Sequence, residues 1–291
     1  MKTIALLPFK NEERYLPSFL SSISKCCDGL IAIDDGSTDK GRDILESAAT
    51  STFFVNIYAK QQHSSWSVHV TRQELLDLGR KAGGTHFIYL DADETFTAPF
   101  LKKFPKVLAN MKPGDKVSMQ WLAVWKSVDH YRNDASVWSN NYKDFIFCDD
   151  GTSTAHINFL CEGRTPGENN ENNLLRLNTK YGAVLHWQFS DWQAFQEKQC
   201  WYRCQEILLG QKTPEAINQK YSITLDDDRT FVQPVPESWL SDIVVPEPLS
   251  TMRTEQSWHV KEIASMFEKH GLETFKALNI WHVHSIKNLV K

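Results

Sequence analysis

Along residues 1–110, short apolar runs alternate with stretches whose apolar positions recur at helical spacing. Residues 3–8 (TIALLP) read as a buried strand. Leu16, Phe19, Leu20 and Ile23 mark one face of a helix over 15–25. Strands are predicted at 30–34, 53–58 and 86–90, with helices over 42–49 and 71–81, the latter closed by Gly83-Gly84. Phe100, Leu101, Phe104, Val107 and Leu108 share a further helical face. Repeated β-α units of this kind imply an α/β fold: a three-layer α/β/α sandwich around a mostly parallel sheet.

Beyond residue 110 the pattern changes. Residues 116–125, 143–148, 156–161 and 181–187 read as strands joined by loops, and the Gly-, Asn- and Glu-rich stretch 163–173 as a mobile loop. Ser190-Asp191-Trp192-Gln193 resembles a capping box opening a helix to about residue 209. Thr213-Pro214 opens another, Pro234 to Pro248 punctuate an extended segment, and a last helix runs over 254–270. The expected division is a ligand-binding half at 1–110, a second half of the same domain at 111–210, and a C-terminal helical extension at 211–291.

Composition narrows the function. The 291 residues are 41% hydrophobic, enough for a large core, and a formal charge of -4 argues against a nucleic-acid partner held by bulk positive charge. No apolar run approaches the roughly 20 residues of a membrane span, and the short apolar N-terminus lacks the features of a signal peptide. A cytoplasmic protein with reduced thiols is expected, with peripheral membrane contact left open. The six cysteines show no zinc-ligand spacing.

Chemistry gathers where predicted strands end. Residues 8–12 follow the first, Asp34-Asp35-Gly36-Ser37 the second, and Asp91-Ala92-Asp93 the fourth. In an open parallel sheet, ligands bind at the carboxyl ends of strands, so these clusters converge on one crevice. If the turn is extended, Asp91 and Asp93 point the same way and serve one hard divalent cation, Mn2+ or Mg2+, which would neutralise a diphosphate.

The stretches LPFKNE (7–12), IDDGSTD (33–39) and YLDADE (89–94) resemble the family 2 glycosyltransferases of the GT-A fold, and VLHW (184–187) resembles a later motif of the lipopolysaccharide and capsule branch. The resemblance implies an inverting, metal-dependent enzyme moving a hexosyl group from a nucleotide diphosphate donor, a UDP-sugar, to a hydroxyl of a glycan or lipid-linked saccharide. It places Pro8, Lys10, Glu12, Asp34, Asp35, Arg72, Asp91 and Ala92 at the donor nucleotide, with Asp35 accepting from the uracil imide. It places Asp91, Asp93 and His186 at the metal, and Glu94 in a supporting hydrogen bond. Arg72 read alone is also compatible with an exposed helix charge, and His186 with a hydrogen-bonded core histidine. Trp121, Trp125 and Trp138 fall where the family builds its acceptor site, though each also suits a core.

The catalytic base is expected at a strand end in the second half. Glu162 is preferred and Asp150, beside Asp149, is the alternative. A phosphatase of the haloacid dehalogenase type, with Asp91 as nucleophile, fits 87–95 but leaves 34–39 unexplained. A catalytically dead sugar-nucleotide-binding protein would need the intact Asp35, Asp91 and Asp93 to be idle. Nucleotidyltransferases and dinucleotide oxidoreductases fail because residues 8–12 contain no glycine.

Overall fold

A computed structural model describes residues 1–60, 68–134, 136, 139, 141–156, 164–168, 172–222, 230–247 and 257–290. The first half is β1 (Thr3–Phe9), α1 (Leu16–Ile23), β2 (Gly29–Asp34), α2 (Gly41–Ser47), β3 (Phe54–Ala59), α3 (Val68–Lys81), β4 (His86–Ile88), β5 (Glu94–Phe96) and α4 (Ala98–Leu108). Then come β6 (Lys116–Ala123), β7 (His130–Arg132), β8 (Tyr142–Cys148), β9 (Leu174–Leu177), β10 (Val184–His186), α5 (Trp192–Leu209), α6 (Pro214–Lys220), β11 (Val232–Pro234), α7 (Trp258–His270) and α8 (His284–Lys287).

Among the described residues the main sheet runs β3-β2-β1-β4-β8-β6-β10-β5, with β9 beside β6. Strands β3, β2, β1 and β4 are parallel, as the repeated β-α pattern requires. Strand β8 lies antiparallel between β4 and β6, which restores the direction of β4 in β6 and β10. The carboxyl ends of β1, β2, β4, β6 and β10 therefore point to one side. The mostly parallel α/β sheet matches the expected fold class.

Both faces of β1 are buried, which is why its sequence is apolar throughout rather than alternating. Ala5, Leu7 and Phe9 pack with Phe19 of α1, Leu45 of α2 and Phe100 and Phe104 of α4. Ile4 and Leu6 face the other way, against Leu75 and Leu76 of α3. Gly79 and Gly84 let that layer close, since a Cβ on either would lie 2.6 or 2.4 Å from the Phe87 ring. Each such leucine contributes roughly 1.5–3 kcal/mol through burial.

The C-terminal helices have a second core. Cys200 and Cys204 of α5 pack with Ile217, Val260, Ile263, Phe267, Phe275 and Ile286. Helix α5 thus shares the core of the extension expected from residue 211, although its first turn, Trp192 and Phe195, packs with Ala123 and Trp125.

Several expectations shift. The strand at 181–187 shortens to β10, flanked by 3-10 turns at Thr179–Tyr181 and Trp187–Phe189. The cap of α5 is Asp191, whose side chain accepts from the Ala194 amide, rather than Ser190. The last helix begins at Trp258 behind a Ser257 cap, while 254–256 lie outside the described residues. So do 157–161 of the expected strand at 156–161, part of the 163–173 loop, Trp138 and Glu162. Strand β5 had no sequence signal: Glu94–Phe96 is buried because it pairs with β10, a partner remote in the chain.

Candidate active site

The loops after β1 and β2 are built as one unit. The Asp35 amide donates to the Phe9 carbonyl at 2.9 Å. Asn11, at φ 55°, donates from its amide to Ser37 Oγ and accepts from the Thr38 amide at 2.7 Å. Asparagine tolerates this left-handed backbone better than most residues. The Glu13 amide donates to Asp39 Oδ2 at 2.8 Å, and Glu13 accepts from the Lys40 amide at 3.0 Å. Asp34 is spent inside this unit, accepting from the Ser37 amide at 2.8 Å. Asp35 is the carboxylate left partly exposed, 2.8 Å from Lys60 Nζ. Pro8 lies at the end of β1, and Lys10 reaches α7, with its ammonium 2.8 Å from Glu262 and over the Trp258 ring.

Residues 91–94 form a tight turn, with the Glu94 amide donating to the Asp91 carbonyl at 3.0 Å. Glu94 then reaches back and accepts from the Asp91 amide at 2.9 Å. Glu94 is fully buried and accepts also from Trp121 Nε1 at 2.6 Å and from both terminal nitrogens of Arg164. Arg164 bridges onward to Asp91 at 3.0 Å, and Arg72 stands 3.6 Å from the same carboxylate. Desolvation acts to raise Asp91, but Arg164 and then Arg72 outweigh it and hold the carboxyl below its usual range.

The two aspartates of this tight turn take different partners. Asp93 is buried and faces His186 Nε2 at 3.4 Å and Lys198 Nζ, on α5, at 3.3 Å. Desolvation would raise its carboxyl, but Lys198 and then His186 hold it far below the ordinary value. The ligand atoms of Asp93, Glu94 and His186 lie within 4.8 Å of one another. Asp91 is not in that group. Of the three, Glu94 has both oxygens occupied, so Asp93 and His186 are the donors open to an ion.

His186 Nδ1 is buried with no hydrogen-bond partner among the described residues, and its ring stacks 4.1 Å from that of Trp121. The Asp93 carboxylate is the hard oxygen donor that Mn2+ or Mg2+ takes, and the imidazole beside it is a ligand better suited to Mn2+ than to Mg2+. The set fits.

Glu12 completes the crevice, 4.0 Å from Lys198. Its carboxyl is pushed up to about 8, chiefly by burial, with Asp93 and Asp91 adding to the rise against the pull of Lys198.

Other expected residues fall elsewhere. Ala92 is buried in the apolar cluster that also holds Leu90 and Phe96. Asp150 was expected by strand-end logic, but β8 runs antiparallel and its Cys148 pairs with His86, the first residue of β4. Asp150 therefore lies at the opposite end of the sheet from Asp91. There it accepts from the Thr152 and Ser153 amides at 2.8 and 2.7 Å, which outweigh burial and hold it at about 2. Asp149 is likewise committed, to Arg80. Sequence reasoning missed Arg164 and Lys198. Neither has a local motif, because each reaches the turn through tertiary packing.

The family model for Glycosyl transferase family 2 matches residues 5–161, more than half of the chain. The chain belongs to glycosyl transferase family 2. It is therefore a member of a glycosyltransferase family, with the loops after β1 and β2, the 91–94 turn and α3 all inside the matched region. Lys198 and α7 lie outside it.

No curated protein matches the chain. Similar solved structures include a mycobacterial protein, 19% identical over 42% of this chain and 41% of that one, with a TM-score of 0.33. Glucosyl-3-phosphoglycerate synthase from Mycobacterium tuberculosis is similar in two complexes. With Mg2+ and uridine diphosphate it is 20% identical, over 42% of this chain and 43% of that one, at TM-score 0.32. With Mn2+ and UDP-glucose the values are 19%, 42%, 43% and 0.31. The chain spans less than half of each of these proteins, and likenesses this partial say nothing of its donor or acceptor. Among the described residues no helix is long and apolar enough to cross a membrane.

Proposed function

We propose that the chain transfers a hexosyl group from a UDP-sugar to a hydroxyl of a glycan or lipid-linked saccharide, with inversion, using Mn2+ or Mg2+ held by Asp93 and His186. The observation that carries this reading is the convergence of four carboxyl-end segments (8–13, 34–39, 91–94 and His186) on one crevice edged by Arg72, Arg164 and Lys198. Such a crevice offers carboxylate and imidazole donors to a cation and basic groups to a diphosphate.

In this reading Asp35 accepts from the uracil imide, and Pro8, Lys10 and Glu12 line the nucleoside end. Arg72 sits 3.6 Å from Asp91, near enough to reach a phosphate oxygen while fixing that aspartate. The bound cation would stabilise negative charge on the departing diphosphate. Glu162 is the proposed base for the acceptor hydroxyl. Its support is position in the chain, two residues before the Arg164 whose guanidinium rests on Asp91 and Glu94. A phosphatase with Asp91 as nucleophile is less well supported, because Arg164 and Arg72 both engage that carboxylate. We place the protein in the cytoplasm, serving the lipopolysaccharide or capsule branch of surface-glycan synthesis.

Incubation with a panel of sugar nucleotides, with Mn2+ or with chelator, tests the reading. Metal-dependent release of UDP from one donor is expected. Release of phosphate from phosphomonoesters, with no sugar nucleotide consumed, would overturn it.

A further inference from the structure

Asp93 carries two positive or proton-bearing partners on one atom. His186 Nε2 and Lys198 Nζ approach the same Oδ2, at 3.4 and 3.3 Å. An ion bound between Asp93 and His186 would sit beside that oxygen, and like charge would drive the ammonium from it. Lys198 also stands 4.0 Å from Glu12, so one ammonium serves both inner carboxylates of the crevice.

The backbone beneath it is anchored on two sides. Asp191 at the start of α5 pairs with Arg14 at 3.5 Å, and Cys200 and Cys204 are sunk in the C-terminal core. The side chain itself is not locked. It is one-fifth exposed and carries its charge on a flexible four-carbon stem. The two arginines of the crevice are held differently, since Arg164 is bound to both Asp91 and Glu94 and is almost wholly buried.

We propose that Lys198 is a tethered counter-ion for the Asp93 site: its ammonium neutralises Asp93 when no metal is bound, yields Asp93 to the incoming divalent cation, and then serves the diphosphate that arrives with the donor. This rests on the reading of Asp93 and His186 as metal ligands. The consequence is a built-in competition. Metal alone binds against Lys198, whereas metal with a nucleotide gives the displaced ammonium a new anion, so the two ligands reinforce each other.

The test is Mn2+ binding to the full chain without nucleotide, by isothermal titration calorimetry and by electron paramagnetic resonance of free Mn2+. Lys198→Met keeps the stem and removes the charge, and it should bind Mn2+ about tenfold tighter than the wild type. With Mn2+ saturating, the same variant should bind UDP several-fold more weakly, which a merely structural lysine would not predict. Lys198→Arg keeps a cation and should bind Mn2+ no tighter than wild type, a comparison that holds even if the methionine variant folds poorly. Unchanged or weaker Mn2+ binding in folded Lys198→Met, or tighter binding in Lys198→Arg, overturns the proposal. Asp93→Asn separates the two levels. If it abolishes Mn2+ binding while Lys198→Met gains nothing, the counter-ion role alone falls; if it leaves Mn2+ binding intact, the metal-site reading falls with it.

Discussion

The loops after β1 and β2 and the turn after β4 sit side by side at the carboxyl end of the sheet, yet they are built by different means. The first pair is stitched mainly by backbone amides and short polar side chains from residues 9–40, all near in sequence. The turn at 91–94 is held by charges from Arg72, Arg164, His186 and Lys198, drawn from α3, the second half and α5. The loops are fixed by short hydrogen bonds within one stretch of chain, whereas the turn rests on ion pairs with partners from distant segments. The difference predicts that the buried Glu94 cluster of the turn carries more of the stability than any one link of the loops does.

The largest effect is expected at Glu94. Replacing it with alanine leaves buried Arg164, the Trp121 N–H and the Asp91 amide without their acceptor. Removing one partner of a buried pair costs about 3–5 kcal/mol, so urea unfolding should show a loss of that size together with inactivity. A stable, active Glu94→Ala protein would erase the distinction between turn and loops.

Asp93→Asn should come next. Its carboxylate faces His186 and Lys198 rather than the core, so the fold should survive. Metal-dependent donor turnover should fall by about a hundredfold or more. Activity that persists in chelator would remove the metal from the site.

On the loop side, Asp35→Asn should weaken UDP binding by about 1.5–3 kcal/mol, the worth of a charge-assisted hydrogen bond, without changing the melting temperature. Calorimetry with UDP reads this directly.

Glu12 links the two regions and gives the comparison a pH axis. Its carboxyl titrates near 8 in the folded protein against an ordinary 4.5. Between those values the folded state binds the extra proton, so this group's contribution to stability is greatest below the ordinary value and declines as pH rises toward 8. Wild-type stability minus that of Glu12→Gln should therefore fall across pH 5–8, measured by denaturant midpoints. A flat difference would place Glu12 in water rather than beside Asp93.

The smallest effect belongs to Asn11. Asn11→Ala loses the Thr38 hydrogen bond and puts an alanine at φ 55°, for about 1–2 kcal/mol. Asn11→Gly should lose less, since glycine accepts that backbone, and the order of the two variants in thermal melts checks the stitching.

The sequence alone carried the parallel sheet, because strands buried on both faces must read as unbroken apolar runs and the helices between them as periodic ones. It also located the segments that edge the crevice, three of them because a parallel sheet puts the ends of successive strands together, and His186 through the family resemblance. What it did not carry was where side chains point within those segments. Asp34 and Asp35 are adjacent and alike, but one closes its own turn and the other faces Lys60. Asp91 and Asp93 take different partners, arginines for the one and His186 and Lys198 for the other. Asp150 looked like a strand-end acid until β8 proved to run backwards, which reverses the end of the sheet at which its residues emerge. Strand direction and the arrival of Arg164 and Lys198 depend on packing between segments far apart in the chain. No local pattern records such packing, because the energy that selects it comes from charge and apolar surface supplied by a distant partner.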